Sequence, residues 1–98
     1  MKVQHNSSRL GDIAEHYAVT YLWDKGYNVF KNSGCTGPVD LIAIDKKGKT
    51  KLIDVKTVRK ERSHWSGIKR TDEQKKLGVQ LLQFNPADRS LYFVKHQE

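Results

Sequence analysis

A chain of 98 residues has room for one small hydrophobic core, so a single domain over residues 1–98 is expected. Its formal charge of +7, from 18 Lys and Arg against 11 Asp and Glu, makes a polyanion such as nucleic acid the first partner to weigh against a merely soluble basic protein. The one cysteine, Cys35, excludes an intrachain disulfide and a Cys-rich zinc centre, and no run approaches the ~18 apolar residues of a membrane span.

In chain order, Ser7 and Ser8 are the expected N-caps of a first helix. Its apolar positions Leu10, Ile13, Ala14, Tyr17, Ala18, Tyr21 and Leu22 recur at helical spacing, and it runs to about Lys25 with Gly26 as its stop. Glu15 falls on a ridge with Gly11, Ala18 and Leu22, at the border of the apolar stripe. Tyr27 to Lys31 reads as a first strand, followed by a loop from Asn32 to Gly37. Val39 to Asp45 and Lys51 to Thr57 read as an antiparallel hairpin turning at Gly48. A short helix is expected from Thr71 or Asp72 to Gly78, then strands Val79 to Phe84 and Leu91 to Lys95. The predicted order is α-β-β-β-α-β-β. Met1 to Ser8 carries no apolar leader, so a cytoplasmic location is expected, or the host cytoplasm for a viral chain.

Alternation puts Asp40, Ile42 and Ile44 on one face of the second strand and Leu52, Asp54 and Lys56 on one face of the third. With Lys46 opposite Thr50, Asp40 faces Lys56 and Ile42 faces Asp54. The two aspartates are then diagonal neighbours within reach of one cation, and any even register keeps them on the same face. Carboxylates inside apolar strands need partners. A divalent cation is one such partner and a cross-strand salt bridge is the other. Lys56 is placed to orient a water or to offset charge developing on phosphorus.

These residues carry a resemblance. Gly11-x-x-x-Glu15 on a helix, Gly37-Pro38-Val39-Asp40-Leu41-Ile42-Ala43 on a strand and Leu52-Ile53-Asp54-Val55-Lys56-Thr57 on the next resemble the PD-(D/E)XK endonuclease superfamily. Within it the chain is most similar to the small Holliday junction resolvases of archaeal type. The resemblance covers Arg9 to about Thr57, with Val39 intervening where the family name implies a Pro-Asp pair. It implies a restriction-endonuclease-like α/β fold, a mixed sheet with flanking helices, and phosphodiester hydrolysis assisted by Mg²⁺ or Mn²⁺. Glu15, Asp40 and Asp54, with the Val55 carbonyl, would hold metal, and Lys56 would attend the nucleophile. Ser33 is the nearest match to a serine that such resolvases carry before the Asp strand. A homodimer is implied, because a four-way junction must be cut on two strands.

From Lys56 to Lys76 eight bases stand against three acids, which marks a DNA-contacting stretch as the alternative to a solvated basic loop. Arg59, Lys60, Arg62, Lys69 and Arg70 are its candidate phosphate contacts. Trp65 is a candidate for base stacking or for packing, and Arg9, in the first turn of the Glu15 helix, is a further phosphate candidate. Gln74 lies on the second helix, where related nucleases sometimes place a polar active-site residue, although such a Gln is more often simply exposed. The histidines have no metal-ligand spacing. The leading reading is a structure-selective DNA endonuclease, probed first as a junction resolvase for recombination and repair. The alternatives are a nicking, restriction-like or repair nuclease acting on other DNA, and a catalytically silent nucleic-acid binding module.

Overall fold

The computed structural model describes residues 5–34, 36–58 and 69–95. Helix α1 spans Ser7–Asp24, strand β1 Asn28–Lys31, β2 Leu41–Ile44, β3 Thr50–Thr57, helix α2 Asp72–Leu77, β4 Gln80–Asn85 and β5 Ser90–Phe93. The five strands form one mixed sheet in the order β1-β2-β3-β4-β5. Only the β3–β4 pair is parallel, and the connection between them carries α2.

The cap of α1 is Asn6, not Ser7 or Ser8. Its backbone is extended and its Oδ1 accepts the Arg9 N–H at 2.8 Å. Asn and Ser rank alike as caps, so the helix begins where the chain leaves extended geometry. Ala18 and Leu22 on α1 are fully buried against Leu41, Ala43, Ile53 and Leu82 of the sheet. Leu22→Ala is expected to cost about 2–5 kcal/mol of stability, read as a lower urea midpoint at unchanged slope.

The hairpin register differs by two residues from the sequence expectation: Ile42 pairs with Leu52, not with Asp54. The cause is the turn. Asp45 N–H bonds the Lys49 carbonyl at 2.9 Å, and Asp45 Oδ1 accepts the N–H groups of Lys47 and Lys49, each at 2.9 Å. Gly48, at φ +86°, fills the left-handed last position of the loop Lys46-Lys47-Gly48, where a side chain would be strained. The shift is even, so every side chain keeps its face, and the paired register ends at Leu41 opposite Ile53, with Asp40 and Asp54 the next residues along the two strands.

The two faces of the sheet therefore have different roles. Ile53, Val55, Leu82, Phe84, Leu91 and Phe93 share the face covered by α1. Asp54, Lys56, Leu81, Gln83 and Tyr92 share the other, which α2 meets through Gln74. No helix among the described residues is long and apolar enough to cross a membrane.

Candidate active site

The hairpin opens at the start of β2, and this opening organises the site. Asp40 lies just before the strand, its N–H donating to the Ile53 carbonyl at 2.8 Å and its carbonyl accepting from the Asn32 N–H at 2.9 Å. The first of these bonds is one residue out of register with the hairpin, so the ladder ends there and the next backbone donor of β3 loses its strand partner. That donor is the Val55 N–H, and Asp40 Oδ2 accepts it at 2.7 Å. The N–H and C=O of one strand residue point to the same edge, so the Val55 carbonyl is directed toward the Asp40 side as well. Asn32 braces the approach, its Nδ2 donating to the carbonyls of Thr36 and Val39 at 2.7 and 2.9 Å.

Asp54 is 6% exposed, and its Oδ2 receives two donors: Lys56 Nζ at 3.1 Å and Gln74 Nε2 at 3.0 Å. The remaining Gln74 bonds go to Thr71 N–H, accepted by Oε1 at 3.0 Å, and to the Pro38 carbonyl, reached by Nε2 at 2.9 Å. Thr71 and Gln74 form a reciprocal capping box. Because the cap requires the amide oxygen, the amide nitrogen is committed to Asp54, and one side chain joins α2, the loop before β2 and the acid on β3. Gln74 is thus buried, not exposed as read from the sequence. Thr71-Asp72-Glu73-Gln74 identified the cap; only tertiary packing shows that its Gln also reaches an acid. Gln74→Leu strips Asp54, Pro38 and Thr71 of partners at once, and a loss of about 1–3 kcal/mol is expected in urea unfolding with EDTA present.

Burial pushes the Asp40 carboxyl up to about 7, helped by its hydrogen bond with Asp54 and by the negative charges of Asp54 and Glu15. The Val55 N–H pulls the other way and does not prevail. Two carboxylates confined together near neutral pH share a proton, or they share a cation.

The structure brings Asp40, Asp54 and Lys56 together. Glu15 arrives from the α1 side of the sheet, near enough for its charge to raise Asp40, with its carboxylate 3.6 Å from Lys31 Nζ. Among the described residues no group of three His, Cys, Asp or Glu side chains converges as a ready metal cage. The donors assembled at the opening are two carboxylates and the backbone carbonyl of Val55. Hard oxygens of this number fit Mg²⁺, which retains several waters and rarely fills its shell from protein.

Of the other candidates, Arg9, Ser33 and Lys69 are exposed, Arg9 on the first turn of α1 and Ser33 in the loop before Asp40. Arg70 donates from Nη1 to the Val79 carbonyl at 3.2 Å, so part of its guanidinium serves the fold. Arg59, Lys60, Arg62 and Trp65 lie outside the described residues.

No family model matches the chain, and no curated protein matches it significantly. Among solved structures, the fold is similar to that of a bacterial homing endonuclease, I-Ssp6803I, with a TM-score of 0.68 at 18% sequence identity. The match covers 93% of this chain and 66% of that one. The chain thus has a nuclease-like fold and spans slightly less than two thirds of the protein it matches.

Proposed function

We propose that the protein is a DNA endonuclease of the PD-(D/E)XK type, hydrolysing phosphodiester bonds with Mg²⁺ or Mn²⁺. The observation that carries this reading is the meeting of Asp40, Asp54 and Lys56 at the opened end of the β2–β3 hairpin. A nuclease-like fold and a charge of +7 support it. A silent DNA-binding module has no use for crowded acids facing a polyanion, since they oppose the binding they would serve.

A divalent cation, when bound, supplies a water of lowered pKa and polarises the phosphoryl oxygen. Asp40 and Asp54 would hold it, with the Val55 carbonyl as a further oxygen. Gln74 keeps the Asp54 carboxylate from rotating away. Lys56, whose side chain is 46% exposed, reaches from the protein toward solvent, where it orients the attacking water or neutralises the charge gathering on the phosphate. Glu15, on the α1 side, would bind the ion directly or through a water.

A four-way junction is the substrate to test first, with two copies of the chain cutting its two strands. Cleavage of non-junction DNA, by a nicking, restriction-like or repair nuclease of the same type, is the second reading, supported by the nuclease-like fold. Incubation with a junction, a flap and a linear duplex, each with Mg²⁺ or EDTA, separates these readings. Metal-dependent cutting confined to branched DNA is expected. Equal cutting of all three removes the junction assignment and keeps the nuclease, whereas no cutting of any substrate removes the enzyme.

A further inference from the structure

On the Asp54 face, one lateral row of the sheet runs from the site to its edge: Lys56 on β3 pairs with Gln83 on β4, which pairs with Tyr92 on β5. Gln83 is 3% exposed and interrupts the apolar run Leu81-Leu82-Gln83-Phe84. Its Nε2 donates to the phenolic oxygen of Tyr92. Its Oε1 is buried and accepts no hydrogen bond among the described residues. A buried acceptor without a donor is a cost that Leu or Met would avoid, so its place beside the site calls for a function.

The planar amide supplies the direction. Its nitrogen and oxygen lie on opposite sides of Cδ, so anchoring Nε2 toward β5 turns Oε1 back toward β3, where Lys56 is the register neighbour. Lys56 pairs with Asp54 through the same Oδ2 that accepts Gln74. An ammonium has three donors. When Asp54 engages a cation, that oxygen is less available and the ammonium is repelled from it, so Lys56 needs a neutral acceptor nearby.

We propose that Gln83 is a positioning residue for Lys56, its buried Oε1 accepting from Nζ once Asp54 is occupied and so holding the ammonium in place for the phosphate. With Nε2 on the Tyr92 hydroxyl, the amide oxygen is the end left for the lysine. The inference rests on the nuclease reading for its consequence, but the contact itself can be observed independently of cutting.

Two measurements test it. In lysine-¹⁵N-labelled protein, the Lys56 ammonium signal is expected to be protected from exchange in Asp54→Leu, which removes every acceptor at that position. The protection should be lost in Asp54→Leu with Gln83→Met and kept with Gln83→Glu, which retains an acceptor. Protection that survives Gln83→Met overturns the proposal. In cleavage assays with Mg²⁺, Gln83→Met is expected to lower kcat by about 10–100-fold, the range typical of residues that orient active-site groups. KM for DNA should stay within about twofold and Gln83→Glu should recover most of the loss, since neither binding nor folding is what Gln83 supplies. A matching rise in KM, or no rescue, assigns Gln83 to structure alone. Tyr92→Phe, at a half-exposed position, gives the same test should Gln83→Met fold poorly: it frees the amide and should lower kcat without changing KM. Wild-type protein that cuts no DNA sinks the nuclease reading, while the ammonium signal still decides the contact.

Discussion

Asp54→Asn is expected to lower Mg²⁺-dependent cleavage by about 10³-fold or more, equivalent to about 4 kcal/mol of lost transition-state stabilisation. The size follows from how many tasks meet on this carboxylate. It is buried, it accepts from Lys56 and from Gln74, and it sits beside Asp40. Asn keeps the volume and one carbonyl oxygen for those donors while removing the charge that would hold a cation. The amide nitrogen it introduces can donate to Asp40, so the fold is expected to survive. Cleavage rates and thermal melts on the same preparation check both halves. Cutting at the wild-type rate by a folded Asp54→Asn protein would remove Asp54 from the chemistry and with it the proposed site.

Lys56→Met should fall in the same direction. In the proposed mechanism its ammonium acts on the nucleophile or the phosphate, so the loss is expected in kcat, with KM for DNA changed less because exposed surface lysines and arginines would carry most phosphate attraction. Together the two variants separate holding a cation from positioning charge.

What the sequence disclosed and what it hid divide along a physical line. Helix α1 was legible because Ala14, Ala18 and Leu22 recur at helical spacing, and all three are buried. Leu52-Ile53-Asp54-Val55-Lys56 was legible as a strand with Asp54 and Lys56 on one face because alternation is a property of the backbone. The register was not, since it depends on which residue occupies the left-handed turn position. Gly48 as the last of a three-residue loop was a readable signal that the pairing of Lys46 with Thr50 overlooked. That Asp40 stands outside the strand, capping the Val55 N–H where the ladder fails, could not be read from local pattern. Nor could the second duty of Gln74, because the capping box explains its identity completely without Asp54. The side of the sheet on which α1 docks is likewise tertiary, and it is what sets Glu15 apart from the other acids, facing Lys31. Gln83 left a trace in the sequence, a lone amide in an apolar strand, whose meaning needs the register with Lys56 and Tyr92.

The crowding of Asp40 yields the second large effect, in stability as well as activity. An unfolded Asp titrates near 3.9, whereas in the folded, metal-free protein Asp40 is held up to about 7 by burial and by the neighbouring carboxylates. Below about pH 3.9 the group is neutral in both states and costs nothing. Between the two values the unfolded chain releases the proton that the folded chain retains, so stability from this residue falls as pH rises and levels off above about 7. Asn at position 40 reproduces the protonated form at every pH: its oxygen accepts the Val55 N–H and its nitrogen donates to Asp54. Asp40→Asn is therefore expected to melt higher than wild type in EDTA, by a margin that widens from pH 4 to pH 7 and is constant beyond. Each kcal/mol of that margin reads as roughly 4–8 °C in a domain of this size. Added Mg²⁺ should narrow the gap at pH 8 by stabilising only the wild type, since a ligand of the folded state raises the melting temperature of the chain that binds it. Cleavage by Asp40→Asn should be lost at all of these pH values. A variant both more stable and inactive locates the acid in function, because a residue kept for structure would be missed by the fold when removed. A margin that is flat with pH, or that widens toward acid, would show that Asp40 ionises without penalty and that the opened hairpin holds no crowded pair for a cation to relieve.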